Sequence, residues 1–208
     1  MALQLPTTGC LLFQGDSITA AKRDLDDSSD LGHGFVVRIA QTLAGTHPNL
    51  RVTNRGVSGN RAADLVRRWQ DDSLALQPDL VSIMVGVNDT WRRFDRNDPT
   101  SAGTYERSYR DILIRSAEQG SALVLVEPFL IPVRAEQWAW REDLDQRIAV
   151  VRRLAWEFDA PLLAADGILN QAARDHGDPS ALTGDGVHLT DTGHDVLAEA
   201  WLKLAGVS

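Results

Sequence analysis

Residues 10–19, CLLFQGDSIT, join a short apolar run to a polar turn and decide the fold class. The apolar run predicts a buried strand, and the glycine and small polar residues after it predict a turn that leads into a helix. Farther along the chain, other apolar runs alternate with segments of helical period. This alternation is typical of βαβ units, so we predict a three-layer α/β/α fold around a parallel sheet.

About five strands are predicted, and their nearly continuous hydrophobicity indicates that both faces of the sheet are buried. The predicted strands are residues 10–14, 51–54, 80–85, 123–126 and 162–164. Apolar residues recur at helical spacing in four segments that we expect to pack on the sheet, residues 35–43, 105–116, 144–158 and 196–204. The charge-rich segment 22–30 is predicted to be a surface loop or a short helix.

Length and composition limit the class of function. A chain of 208 residues suits one domain, residues 1–208, because it can enclose a single sizeable core. Its 29 acidic and 21 basic residues give a formal charge of −8, which would repel a nucleic-acid backbone. The sequence has no run of about 18 apolar residues and residues 1–9 lack an export pattern, so we expect no membrane partner. Cys10 is the only cysteine, which favours a cytoplasmic location.

Polar residues follow the predicted strands at the point where each strand ends. They are residues 15–19 (GDSIT), 56–60 (GVSGN) and 86–89 (GVND), and residues 185–188 (DGVH) precede the last predicted helix. Open α/β sheets bind ligands in the crevice outside the carboxyl ends of their strands. We therefore expect these four segments to meet in one site.

The residue types in these segments indicate acyl transfer by a serine nucleophile. Ser17 would stand on a strand-to-helix turn, His188 would act as its base, and Asp185 would orient and stabilise the imidazole. The backbone amides of Ser17 and Gly59 and the side-chain amide of Asn88 would form an oxyanion hole. We predict no cofactor and no metal for this chemistry.

Taken together, these segments resemble the four sequence blocks of the SGNH hydrolases, also called GDSL-type esterases and lipases. The resemblance rests on Gly-Asp-Ser at 15–17, Gly59, Asn88 within Gly-x-Asn-Asp, and Asp185-x-x-His188. It covers most of the chain in the order of the family, and the one departure is Ile18 in place of leucine. The family implies a flavodoxin-like α/β/α fold.

Three longer segments are similar to bacterial cytoplasmic esterases that remove acetyl groups from xylo-oligosaccharides. They are NRGVSGN at 54–60, PDLVSI at 78–83 and GVNDTWR at 86–92. This resemblance implies a small acetylated sugar as substrate and a homo-oligomer. Lysophospholipase or thioesterase activity remains an alternative within the same family.

Two alternatives belong to other classes. A metal-dependent phosphoesterase would use Asp16, Asn88, Asp89 and His188 as ligands, although the sequence lacks the Asp-x-His and Asn-His-Asp clusters that such sites use. A non-catalytic carbohydrate-binding protein on a hydrolase scaffold is the other alternative.

Several further residues are weaker candidates. Asp16, Trp91 and Arg92 are candidate substrate-binding residues, and Asp16 is also expected to brace the nucleophile turn. Trp138 and Trp140 are expected in the core or at a subunit interface. His194 is expected to be structural or at the surface, on a helix capped by Thr190.

Overall fold

The computed structural model describes residues 3–207 and contains a five-stranded parallel sheet. The strands are β1 (Thr8–Gly15), β2 (Asn49–Asn54), β3 (Leu80–Met84), β4 (Ala122–Val126) and β5 (Leu162–Leu163). Their order across the sheet is β2-β1-β3-β4-β5, and every neighbouring pair is parallel. The predicted α/β fold is confirmed, and this strand order is that of flavodoxin-like folds.

The strand ends differ from the predicted ones by one or two residues. β1 begins at Thr8 rather than at residue 10, because Thr8 and Gly9 pair with β2. Backbone ladders depend on strand pairing and not on side-chain hydrophobicity. β3 ends at Met84, the last residue of the strand that pairs with β1. Val85 is buried, which explains why the sequence pattern included it, but the chain turns at Gly86, whose φ is positive. Residue 164 does not belong to β5, because it caps the helix that follows.

Eight α-helices lie in the described part of the chain. They are α1 (Ser17–Ala20), α2 (Phe35–Thr46), α3 (Ala62–Asp72), α4 (Val87–Arg96), α5 (Ala102–Glu118), α6 (Arg141–Glu157), α7 (Ala165–Asp175) and α8 (Asp191–Leu204). The four predicted helices correspond to α2, α5, α6 and α8. The charge-rich segment 22–30 is a loop of turns and bends.

Two apolar clusters cover the two faces of the sheet. Side chains alternate along β1, so that Phe13 belongs to one cluster and Leu12 to the other. The cluster around Phe13 includes Trp201 of α8, and the cluster around Leu12 includes Trp69 of α3. The sheet is therefore buried on both faces, and its carboxyl edge is left to hold the polar loops. Within residues 3–207, no helix combines the length and the hydropathy needed to cross a membrane.

Candidate active site

The turn after β1 presents Ser17 at the start of α1. Asp16 is the N-cap of this helix, and its Oδ1 accepts a hydrogen bond of 3.0 Å from the amide of Ile18. Capping by a short carboxylate ends the strand and starts the helix within one residue. The sequence thus folds locally so that Ser17 lies at the carboxyl edge of the sheet.

Ser17 forms one line of hydrogen bonds with His188 and Asp185, which lie near the other end of the chain. Ser17 Oγ lies 2.9 Å from His188 Nε2, and His188 Nδ1 lies 2.6 Å from Asp185 Oδ2. The imidazole is half-exposed, so it lies at the surface of the crevice and not beneath it. The structure therefore brings together all three predicted triad residues in the order that proton transfer from the serine requires.

The loop that carries Asp185 and His188 is shaped by the aspartate itself. Asp185 Oδ1 accepts hydrogen bonds from the amides of Val187 (2.9 Å) and His188 (2.7 Å), while Oδ2 faces the ring. Gly186 between them has a φ of +94°, a left-handed conformation that favours glycine. Partial burial works against ionisation of Asp185, but the hydrogen bonds from the His188 ring and from the two amides outweigh it and lower its pKa.

Two residues that the sequence did not reveal brace this loop. Gln137 is fully buried, and its Nε2 donates to the carbonyl oxygen of Asp185 at 2.6 Å. Thr183, also fully buried, donates from Oγ1 to the carbonyl oxygen of His188 at 2.8 Å. Both contacts join side chains to backbone atoms in an irregular loop, so neither leaves a periodic pattern in the sequence.

Besides the Ser17 amide, the predicted oxyanion donors follow β2 and β3, the two strands that flank β1: Gly59 lies in the loop after β2, and Asn88 lies in α4 after β3. Gly59 has a φ of +81°, and the space that a β-carbon would occupy there is open. Asn88 is 3% exposed in the first turn of α4, and its Nδ2 donates to the carbonyl oxygen of Asn60 at 3.2 Å. This bond joins α4 to the loop that contains Gly59. The oxyanion role of these groups stays a prediction.

Two carboxyl groups near the site are deeply buried. Burial raises the pKa of Asp16 to about 7, and burial also raises the pKa of Asp89 to about 7. Asp89 Oδ2 accepts a hydrogen bond from the amide of Ala62 at the start of α3. Asp16 is only 1% exposed, which favours its role as a brace of the turn over contact with substrate. Across residues 3–207, no three His, Cys, Asp or Glu side chains form a group that could hold a metal ion.

The rings of Trp91 and Trp140 follow one another beside His188. The centroid of the Trp91 ring lies 5.8 Å from that of His188, and Trp140 lies 5.7 Å beyond Trp91. Trp140 is 8% exposed, as expected for a core residue, whereas Trp138 is 64% exposed. Trp138 is therefore not a core residue; it lines a separate cavity of about 660 Å³. Its place at a subunit interface stays a prediction.

A polar cavity of about 550 Å³ opens beside Gly59. Its lining includes Gly59, Arg61, Arg67, Arg92, Arg96 and Thr104. The candidate substrate-binding residue Arg92 therefore lines the same cavity as Gly59, whose amide is a predicted oxyanion donor.

His194 has the structural role expected from the sequence. Thr190 caps α8 by accepting a hydrogen bond from the amide of Gly193, which confirms the predicted cap. His194 Nδ1 accepts a hydrogen bond of 3.2 Å from the amide of Phe35, and burial together with the nearby charge of Arg38 lowers its pKa to about 4. His194 is thus a neutral side chain that joins α8 to α2.

The chain is similar to known proteins over most of its length. The model of the GDSL-like lipase/acylhydrolase family matches residues 13–196. An acetylxylan esterase from Geobacillus stearothermophilus is 34% identical over 206 residues, which covers 94% of this chain and 93% of the relative. Its crystal structure superimposes with a TM-score of 0.90 at 32% identity, covering 100% of this chain and 98% of that one.

Other solved structures extend the comparison. A putative GDSL-like lipase from Parabacteroides merdae has a TM-score of 0.93 at 30% identity, and the match covers 100% of both chains. Three further structures of the Geobacillus esterase are described as catalytic mutants and carry alanine in place of a serine, an aspartate or a histidine. The same three residue types form the hydrogen-bonded line at Ser17.

Proposed function

The chain belongs to the GDSL-like lipase/acylhydrolase family and is a carboxylic ester hydrolase, and from this premise we propose that it is a serine esterase that removes acetyl groups from small carbohydrates. Acetylated xylo-oligosaccharides are the proposed substrates. The observation that carries the proposal is the continuous line of hydrogen bonds from Asp185 through His188 to Ser17 Oγ.

In the proposed mechanism, Ser17 Oγ attacks the acetyl carbonyl while His188 Nε2 accepts the hydroxyl proton. The tetrahedral intermediate then collapses: the bond to the sugar oxygen breaks, and His188 returns the proton to that oxygen. Water attacks the acetyl-enzyme in the same way, giving acetate and free Ser17. Asp185 holds the Nδ1–H tautomer and stabilises the imidazolium in both halves of the reaction.

Negative charge on the tetrahedral oxygen requires donors that already point toward it. We propose the amides of Ser17 and Gly59 and Nδ2 of Asn88 for this role. Gly59 supports the proposal because it has no side chain of its own and no other residue fills the space that a β-carbon would occupy there. Loss of one such donor typically lowers the rate by about 10²- to 10³-fold.

The polar cavity beside Gly59 supports a sugar as the alcohol part of the ester. Arginine and threonine side chains line it, and they can bond to sugar hydroxyl groups but give little apolar surface to a long acyl chain. The name of the Geobacillus relative, acetylxylan esterase, points to the same substrate class. Lysophospholipase and thioesterase activities within the family have no comparable support at this cavity.

The experiment compares acetylated xylo-oligosaccharides with p-nitrophenyl esters of increasing chain length. We expect kcat/KM to be highest for acetyl esters and to fall as the acyl chain lengthens. Ser17→Ala should abolish hydrolysis while the circular dichroism spectrum stays unchanged. A preference for long acyl chains would reject the carbohydrate assignment, and a fully active Ser17→Ala variant would reject the serine mechanism.

The same assay separates the alternatives from other classes. A metal-dependent phosphoesterase would lose activity in a strong chelator, whereas the serine esterase would keep it. A carbohydrate-binding protein without catalysis would bind the oligosaccharides but release no acetate. Release of acetate in the presence of chelator therefore decides among the three.

Homo-oligomerisation, a cytoplasmic location and the lack of nucleic-acid and membrane partners also stay proposals. Trp156 is 88% exposed and Trp138 64% exposed, and we propose these two side chains as subunit contacts because aromatic residues are enriched at protein–protein interfaces. The single cysteine, Cys10, is buried and free, as expected in a reducing compartment.

A further inference from the structure

The side-chain amide of Asn88 is held from both ends. Its Nδ2 donates to the carbonyl oxygen of Asn60 at 3.2 Å, and its Oδ1 accepts from Arg92 Nη2 at 3.3 Å. A backbone carbonyl can only accept and a guanidinium can only donate. The two neighbours therefore permit one orientation of the amide, in which its nitrogen and not its oxygen is on the side of Asn60.

We propose that Arg92 is a positioning residue that keeps the Asn88 amide oriented as an oxyanion donor. This inference rests on the proposed function, since it assigns a task to Arg92 within the same hydrolysis. One hydrogen on Nδ2 bonds to Asn60, and the other remains for the oxygen of the tetrahedral intermediate. If the amide turned over, its oxygen would face that negative charge and repel it.

Arg92 is itself held in place on α4. Its guanidinium forms an ion pair with Asp95, three residues later, and lies 5.3 Å from the centroid of the Trp91 ring. The Arg92 side chain is only 15% exposed. Asn88, Arg92 and Asp95 are spaced so that they share one face of the helix. Because Asp95 and Trp91 already restrict the guanidinium, its hydrogen bond to Asn88 costs little additional side-chain entropy.

The kinetic constants kcat and KM distinguish this role from direct binding of the substrate. The cavity beside Gly59 includes Arg92 in its lining, so direct binding of the sugar by Arg92 is the competing explanation. Removing a substrate interaction that is equally strong in the ground state and in the transition state raises KM and leaves kcat unchanged. A misoriented oxyanion donor instead lowers kcat, because the donor acts on charge that exists only in the transition state.

The test is Arg92→Gln, assayed on p-nitrophenyl acetate and on acetylated xylo-oligosaccharide. We expect kcat to fall about tenfold to a hundredfold on both substrates, with KM changed less than about twofold, since reorientation removes only part of the effect of deleting a donor completely. The matched control is Arg93→Gln on the same helix, whose guanidinium contacts Asp143 and not Asn88. The control should keep kcat within about twofold of the wild type.

A double-mutant cycle decides whether Arg92 acts through Asn88. In an Asn88→Ala background, Arg92→Gln should cause no further fall in kcat. An equal fall in both backgrounds, or a rise in KM with kcat unchanged, would overturn the inference. Arg92→Lys provides a second variant: it keeps a donor near Asn88 and should retain more of kcat than Arg92→Gln, and equal losses would also count against the role.

Failure of this inference can be distinguished from failure of the proposed function. If Ser17→Ala and Asn88→Ala both reduce kcat but Arg92→Gln does not, the esterase mechanism stands and only the role of Arg92 is rejected. If Ser17→Ala is fully active, the proposed mechanism itself is rejected.

Discussion

At the scale of single residues, two buried carboxyl groups adjoin the candidate active site, with Asp16 next to Ser17 and Asp89 next to Asn88. Asp16 and Asp89 are 1% and 0% exposed, and each has its pKa raised to about 7, mainly by burial. Oδ1 of Asp89 has no hydrogen-bond partner among the described residues. Such a group is stable in the fold as a neutral acid and costly as a carboxylate.

Asp89→Asn should therefore stabilise the protein increasingly as the pH rises. The pKa of Asp89 is raised from 3.8 to about 7, so the folded chain binds the proton more tightly than the unfolded chain does. The contribution of this group to stability is fully present below about pH 4 and is lost as the pH rises to about 7. Because Asn stays neutral, we expect the difference in unfolding free energy between the variant and the wild type to grow by about 1–3 kcal/mol from pH 5 to pH 8.

Urea unfolding at pH 5 and at pH 8 measures this gain. Asp71→Asn is the matched control, because it makes the same substitution at an exposed carboxylate on α3. If Asp89→Asn and the wild type differ by the same amount at both pH values, the buried carboxylate does not carry the effect.

The sequence pointed to the three residues of the proposed triad, but it did not reveal the side-chain contacts around them. Ser17, Asp185 and His188 lie in short segments with a distinctive order of residue types, and the structure brings them together. Gln137 and Arg92 form hydrogen bonds whose existence depends on how a loop or a helix is placed. No local spacing encodes such contacts, so they appear only with coordinates.

At the scale of elements, two buried tryptophans hydrogen-bond their helices to a neighbouring strand or helix. Trp201 of α8 donates from Nε1 to Ser82 Oγ on β3 at 3.0 Å, and Trp69 of α3 donates from Nε1 to Ser116 Oγ on α5 at 3.1 Å. Both indole rings are fully buried. A buried indole N–H needs an acceptor, so each serine satisfies a donor that the hydrophobic core could not.

Ser82→Ala should lower the free energy of unfolding by about 1–3 kcal/mol, the typical cost of leaving a buried donor without a partner. Urea unfolding of the variant measures this cost. In a Trp201→Phe background the indole N–H is absent, so the same serine substitution should cost less than about 0.5 kcal/mol. Equal costs in both backgrounds would show that Ser82 acts through packing and not through this hydrogen bond.

The sequence predicted the sheet, the turn that leads into α1, and the four helices α2, α5, α6 and α8, but not α3, α4 or α7. The segment that begins α4 contains Gly86, Asn88 and Asp89, which are typical turn residues, so the residue types alone do not distinguish a helix there from a loop. The same residue types also begin helices, where they satisfy free backbone amides or face the positive end of the helix. For α3 a pattern was present, since Ala62, Leu65 and Trp69 recur at helical spacing and are all buried.

At the scale of the whole molecule, the sheet lies between two apolar clusters that share no residues. Leu11 and Phe13 of β1 belong to one cluster and Leu12 belongs to the other, and β3 and β4 also contribute to both. Removing β1, β3 or β4 from the sheet would therefore expose apolar surface on both faces. This arrangement supports the predicted single domain of residues 1–208, in which both faces should unfold in one transition.

Cys10 makes this prediction testable, because it is the only thiol and is 2% exposed on β1. Alternation along the strand places it on the same face as Leu12, opposite the cluster that contains Trp201. Trp201→Phe should shift the urea midpoint of Cys10 labelling by the same amount as the midpoint of far-ultraviolet circular dichroism, since the two faces unfold together. If the substitution shifted the circular dichroism transition and left Cys10 labelling unchanged, the faces would unfold separately and the single cooperative domain would be rejected.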